Sequence, residues 1–193
     1  MKTIISLLAT CAACVAGTTI NTATVGTLNV GVSEGGGGDT YTLEQSHETA
    51  DGLASGGYYF ANLITSSSAY DLTKVSLHFS RNALDTSDYV VTIRPDNSTQ
   101  PSATVLGTSD TVLNASVGTS ADWVEFTFST PVSLSSSTLY WIVLTKTGTT
   151  TGYAASVSRG NTTTENMQGS TDGSTWSSIS ATRSALHRMY SSP

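Results

Sequence analysis

Charge is what this chain has least of. Asp, Glu, Lys and Arg make up 11% of its 193 residues, and the net charge is -6. The eight Lys and Arg residues are scattered, so no basic face follows a phosphate backbone, which excludes nucleic acid as a partner. The same acidity argues against an anionic membrane surface. Histidine is limited to His47, His78 and His187, and cysteine to Cys11 and Cys14. A zinc site built on that C-x-x-C pair needs two further Cys or His ligands nearby. Both cysteines instead lie in an apolar run of small residues. There is no G-x-S-x-G elbow, no H-E-x-x-H spacing and no dense acidic array to make a calcium loop of Asp96-Asn97 or Asp172. Asp85 and Asp88 are the nearest approach to a glycosidase carboxylate pair. They fall in the turn before Tyr89 and read as turn formers, while Glu125 faces outward on its strand and the histidines read as partly exposed strand residues. The expectation is therefore no catalytic residue, no cofactor and no metal, in a protein that is not an enzyme.

Long hydrophobic runs are missing too. The longest apolar stretch, Ile4 to Gly17, is too short for a bilayer, which takes about 20 residues, so no transmembrane segment is expected. Residues 1–17 admit two readings. A lysine, a short apolar run and small residues fit a secretory signal cleaved after Ala16 or Gly17. The alternative is an uncleaved docking arm whose Ile4, Ile5, Leu7 and Leu8 pack on a neighbouring subunit. Residues 18–40 are rich in Thr, Val and Gly and include the alternating segment Leu28, Val30 and Val32, a strand that could be donated to a partner. Gly35 to Gly38 carry no side chains and lose the most entropy on ordering, so they mark a joint between the arm and a domain spanning 41–193.

Ser and Thr, by contrast, make up roughly a third of the chain, and β-branched Thr and Val favour strands over helices. In Val75–Phe79, Tyr89–Ile93 and Val124–Phe128 apolar residues recur at every second position, which puts them on one face of a pleated strand. Leu139 to Leu144 is apolar throughout, as a central strand covered on both sides would be. Pro95-Asp96-Asn97-Ser98 is turn chemistry, and Thr130-Pro131 divides two strand runs because proline cannot donate to a ladder. Asp172-Gly173 supplies the positive φ of a tight hairpin turn, and the last strand runs from Ala185 to Tyr190. About ten strands result. The fold class expected is all-β, an antiparallel jelly-roll-like β-sandwich with an extended N-terminal arm. A domain of about 150 residues buries roughly 68–70% of its unfolded surface, enough to stand without disulfides.

Leu72–Leu77, Tyr89–Asp96, Gln100–Ser102, Val105–Ser109, Trp123–Phe126, Val132–Leu134, Thr138–Trp141 and Asp172–Trp176 follow one another in fixed order. This series resembles the choice-of-anchor R type of β-sandwich module found in bacterial surface proteins and some phage virion proteins. The resemblance covers roughly residues 41 to 190 and implies a non-catalytic display or attachment domain. The chain departs from the cell-surface versions in ending at Pro193 without an anchor or sorting tail, which favours attachment through the N-terminal arm. The function expected is a structural or display protein, a phage virion decoration, fibre or tail-associated subunit on the virion surface. Its partners would be other virion or surface-assembly subunits bound through residues 1–34, and copies of itself in a homo-oligomer. The alternative is a secreted, extracellular carbohydrate-binding or adhesion module. For that reading the candidate glycan-stacking residues are Trp123, Trp176, Tyr58 and Tyr59; the alternative for Trp123 and Trp176 is that they cap the edge of the sandwich.

Overall fold

The computed structural model describes residues 41–55, 59–147, 155–162 and 166–192. The arm residues Ile4, Ile5, Leu7, Leu8, Leu28, Val30 and Val32, the glycine joint and Tyr58 lie outside the described residues. Thirteen strands follow in order: β1 (Thr42–His47), β2 (Gly52–Ser55), β3 (Tyr59–Thr65), β4 (Tyr70–Ser80), β5 (Asp88–Pro95), β6 (Gly107–Thr108), β7 (Asp122–Leu134), β8 (Leu139–Thr147), β9 (Ser156–Asn161), β10 (Met167–Ser170), β11 (Ser177–Ser180), β12 (Arg183–Ala185) and β13 (His187–Ser191). A single 3-10 turn at Asn114–Ser116 is the one helical element among the described residues.

The strands form two antiparallel sheets packed face to face, as the alternation predicts. The seven-stranded sheet has the order β1-β13-β4-β9-β12, with β7 on the other edge of β4 and β2 beside β9; the six-stranded sheet runs β11-β10-β3-β8-β5-β6. From β3 to β5 and from β6 to β10 the chain changes sheet at every connection. Val75, Leu77 and Phe79 of β4, Val124, Phe126 and Phe128 of β7, and Tyr89, Val91 and Ile93 of β5 are buried in the interior between the sheets. This is the half-buried pattern of a sheet with one face on the core.

Strand β8 is covered on both faces. Tyr140, Ile142 and Leu144 enter the main core, while Trp141 and Val143 join Ala61, Leu63 and Trp176 in a second cluster on the outer side of the six-stranded sheet. An unbroken apolar run was the only pattern compatible with both contacts.

Two strand boundaries differ from expectation. Thr130-Pro131 does not end a strand; it lies in an excursion within β7. The β4–β7 register jumps from Leu72↔Val132 to Lys74↔Thr127, so Thr73 alone stands opposite Phe128 to Pro131. Proline is tolerated there because a bulge leaves its missing N–H unneeded. The expected last strand is also two strands. Arg183–Ala185 pair with β9, and after Leu186 the chain shifts to pair with β4 and β1 as β13. At the hinge the Leu186 N–H donates to the Ser158 carbonyl at 2.9 Å and its own carbonyl accepts from His78 N–H at 3.2 Å.

Asn62 ties the two sheets together. It sits on β3 between Ala61 and Leu63, pointing inward and fully buried. Its Oδ1 accepts the Ala185 N–H at 2.7 Å and the Ser184 hydroxyl at 3.3 Å. Truncation to Ala leaves the Ala185 N–H buried without its acceptor, a loss of about 1–3 kcal/mol. Urea denaturation of Asn62→Ala checks this; an unchanged midpoint would mean that another acceptor replaces the amide.

Tyr70 gives the fold an alkaline limit. Its phenol faces Met189 Sδ at 3.7 Å, and burial, followed by the nearby Glu44 carboxylate, pushes its pKa well above the ordinary value of 10.0. The folded chain thus holds a proton that the unfolded chain releases once the pH passes 10, so this part of the stability is whole below pH 10 and is lost as the pH rises further. The denaturation midpoint should fall between pH 9.5 and 11.5, and it should fall less steeply in Tyr70→Phe.

Candidate functional site

The outward face of the seven-stranded sheet carries the most ordered surface chemistry. Because Val75, Leu77 and Phe79 turn inward, Lys74, Ser76 and His78 turn outward. Register sets Lys74 opposite Tyr190, Ser76 opposite Arg188, and His78 opposite Trp123. Lys74 Nζ lies 4.2 Å from the Tyr41 ring centroid, 4.5 Å from that of Tyr190 and 2.9 Å from Glu125. The Arg188 guanidinium stacks 4.1 Å over the Trp123 ring while donating to both oxygens of Glu48 at 2.9 and 3.3 Å. Burial alone would lower the Arg188 pKa, but Glu48 outweighs it and the pKa is raised. Cation–π contacts at exposed sites contribute about 0.5–1 kcal/mol each, so the chief effect here is to hold the rings in place.

His78 meets the Trp123 ring edge-on at 5.2 Å, and its Nδ1 shares a hydrogen bond with Ser158 Oγ at 2.8 Å. A Ser–His pair is the beginning of a nucleophilic site. Ser158, however, is only 4% exposed, so its hydroxyl orients the imidazole and is closed to a substrate. Beside Trp123 lies a shallow groove of about 440 Å³ lined by Ser116, Gly118, Thr119, Ser120, Ala121, Asp122, Trp123 and Val124. Its lining offers hydroxyls and one carboxylate.

The four candidate stacking residues are not brought together. Trp123 is half-buried, with a guanidinium on its ring. Trp176, expected to be exposed, is 6% exposed and packs in the second cluster with Trp141, so it offers no ring face to a sugar. The reason is the loop before it. The loop 171–176 joins β10 to β11 and folds back over the six-stranded sheet, where the Tyr59 and Trp176 rings meet edge to face at 6.4 Å. Asp172 shapes this loop. Its Oδ1 accepts the Ser174 and Thr175 N–H groups at 2.8 and 2.7 Å, and those bonds hold its carboxyl well below the usual range. The loop is longer than the tight turn expected, but it keeps the expected positive φ at Gly173, +72°. There the close Tyr59 ring also leaves no room for a Cβ.

Two groupings escape a reading by sequence distance. His47 and His187 face each other across β1 and β13, with rings 6.4 Å apart and nearly parallel. His187 is fully buried rather than partly exposed, its Nδ1 2.9 Å from the Ala185 carbonyl. Gly160 makes room for this corner, since a Cβ there would collide with the Thr49 carbonyl and lie 2.6 Å from His47 Nε2. The second grouping corrects the reading of Asp85 as a simple turn former. Asp85 is buried, and its Oδ2 lies 2.5 Å from Lys146 Nζ and accepts the Tyr89 hydroxyl at 2.8 Å. Burial would raise this carboxyl, but Lys146, the Ser87 N–H and Tyr89 together hold it below the ordinary range. Lys146 continues the inward series of Tyr140, Ile142 and Leu144 on β8, but its meeting with Asp85 exists only once β8 and the loop 81–87 are brought together.

Among the described residues no three His, Cys, Asp or Glu side chains gather as a metal site. No helix among them is long and apolar enough to cross a membrane. The fold and this surface define a two-layer antiparallel β-sandwich with one pre-ordered, aromatic and charged outer face. The chain matches no protein-family model and no curated protein.

Proposed function

We propose that this chain is a non-catalytic display or attachment module, a structural subunit of a virion or comparable surface assembly that docks through residues 1–34. The observation that carries the reading is the polarity of the sandwich. Thr42 stands opposite Ser191 at one end of the sheet, so the N-terminal segment leads into edge strand β1 there. Phe79 and Asp122 pair at the other end, where the loop 81–87 meets the loop holding the 3-10 turn. Arg81 Nε donates to the Val117 carbonyl at 2.7 Å, and Asn114 Nδ2 to the Ser87 carbonyl at 2.9 Å. This far end presents Leu84, Leu113 and the groove beside Trp123 to solvent. A domain that the N-terminal segment enters at one end, with hydrogen-bonded loops at the other, suits display, as does the resemblance to choice-of-anchor modules. Deleting residues 1–34 should abolish incorporation into particles while the sandwich keeps its far-UV spectrum. Normal decoration by the shortened chain would overturn the docking reading.

The groove favours a second reading, a secreted module that binds a neutral glycan. Under it, full-length protein binds a glycan array, Trp123→Ala removes the signal, and removal of residues 1–34 does not.

A further inference from the structure

The Asp85–Lys146 pair has the features of a reaction site. Lys146 stands opposite Tyr89 in the β5–β8 ladder, with its side chain 2% exposed and that of Asp85 3% exposed. Nζ comes within 2.5 Å of Oδ2, yet it lacks the alignment of a hydrogen bond to that oxygen or to any other described group. Both carboxyl oxygens have their own donors: the Ser87 N–H on Oδ1 at 3.0 Å and the Tyr89 hydroxyl on Oδ2 at 2.8 Å. A primary amine is thus held against a carboxyl group that is already oriented and shielded from water.

We propose that Lys146 Nζ and Asp85 Cγ join in an intramolecular amide bond that the folded protein forms by itself, fastening the loop 81–87 to β8. A proton first passes, uphill against the interactions that favour the carboxylate, from the ammonium to Oδ2 within the pair, giving a neutral amine and a neutral acid with no change in total charge. The Nζ lone pair adds to Cγ, and the charge that develops on Oδ1 is met by the Ser87 N–H, a fixed donor placed where negative charge appears. Tyr89 gives its hydroxyl proton to Oδ2 and takes one back from the new nitrogen. The Cγ–Oδ2 bond breaks, the carbonyl re-forms on Oδ1 and one water leaves. Ammonium and carboxylate have become amide and water, with no oxidant, metal or co-reactant. Proximity supplies the rate, as for any oriented intramolecular pair. Burial supplies direction, since an amide is far easier to keep from water than two charges. Ser87 and Tyr89 act on the reacting atoms, and neither is consumed. The bond does not depend on the docking function proposed above, although a cross-linked sandwich would suit an exposed assembly.

Intact-mass measurement of the folded full-length chain, with a peptide map, tests the proposal. The expected result is a chain lighter by one water, with Asp85 and Lys146 in one branched peptide. Lys146→Arg and Asp85→Ala should each run at full mass, and folded Tyr89→Phe should retain an unlinked fraction that the wild type lacks. A folded wild-type chain at full mass, with Asp85 and Lys146 in separate linear peptides, overturns it. So does a lost water that maps elsewhere, such as a succinimide at Asp172-Gly173.

Discussion

Lys146→Met should lower the stability of the sandwich by at least about 3–5 kcal/mol, because it leaves the buried Asp85 carboxylate without its partner and also removes the amide link proposed above. The methionine chain replaces most of the lysine stem, so little packing volume is lost. What remains is the Asp85 carboxylate, 3% exposed, with no cation to balance it. It must either stay charged in a dry site or take up a proton. The test is a chemical-denaturation series at neutral pH that adds Asp85→Leu and the double variant Lys146→Met/Asp85→Leu. The double variant leaves no charge behind and should be more stable than either single variant, because the penalty lies in the orphaned group more than in the lost attraction. If the double variant lost as much as the two single variants combined, Lys146 and Asp85 would be acting independently and the pair would carry no coupling. A midpoint unmoved in Lys146→Met would mean that water reaches Asp85 and that the site is not closed.

Those parts of the fold that depend on local pattern were legible in the sequence. Period-two alternation located β4, β5 and β7, because a strand with one face on the core must alternate whatever its neighbours are. The run Leu139 to Leu144 identified a strand buried twice over. The unread parts depend on which strands meet. Nothing local to Asn62 shows that its amide will meet Ala185, since that contact exists only once β3 and β12 lie in facing sheets. The His47–His187 pairing likewise comes from β1 and β13 becoming neighbours. Pro131 misled because a proline that cannot continue a ladder can still sit in an excursion within one strand. Lys146 is a different case. Its parity with Leu144 marks it as inward-facing, but nothing local to it identifies Asp85 as its partner.

The candidate site shows the same division. The alternation of Val124, Phe126 and Phe128 turns Trp123 outward, but the Arg188 guanidinium over its ring comes from a strand 65 positions further along the chain. Glu48, which holds that guanidinium, comes from just beyond the first strand. The surface is thus assembled from both ends of the domain, and no single segment encodes it.

Trp176→Ala should cost about 3–5 kcal/mol, the range for truncating a buried aromatic, and its effect should be on folding rather than on any ligand. Trp176 is the one member of the second cluster that comes from a loop; Ala61, Leu63, Trp141 and Val143 all lie on strands β3 and β8. Removing the indole opens that outer sheet face to water, and the small Ala61 cannot fill the space. The loop should loosen with it. Arg94, whose guanidinium lies 3.5 Å from the Gly173 carbonyl, would lose a contact across the cluster. Asp172 would keep its bonds to Ser174 and Thr175, because they are local to the turn. The hydrogen-exchange pattern should therefore be uneven, with protection lost at β10 and β11 and kept along β4 and β7. Trp141 should report the change directly. Its indole N–H donates to Asp96 at 2.8 Å, and exposure of the ring should shift its emission to longer wavelength while the protein remains folded. The opposite outcome, unchanged stability with loss of glycan binding, would place Trp176 at a sugar site and would require the loop 171–176 to swing off the sheet in solution.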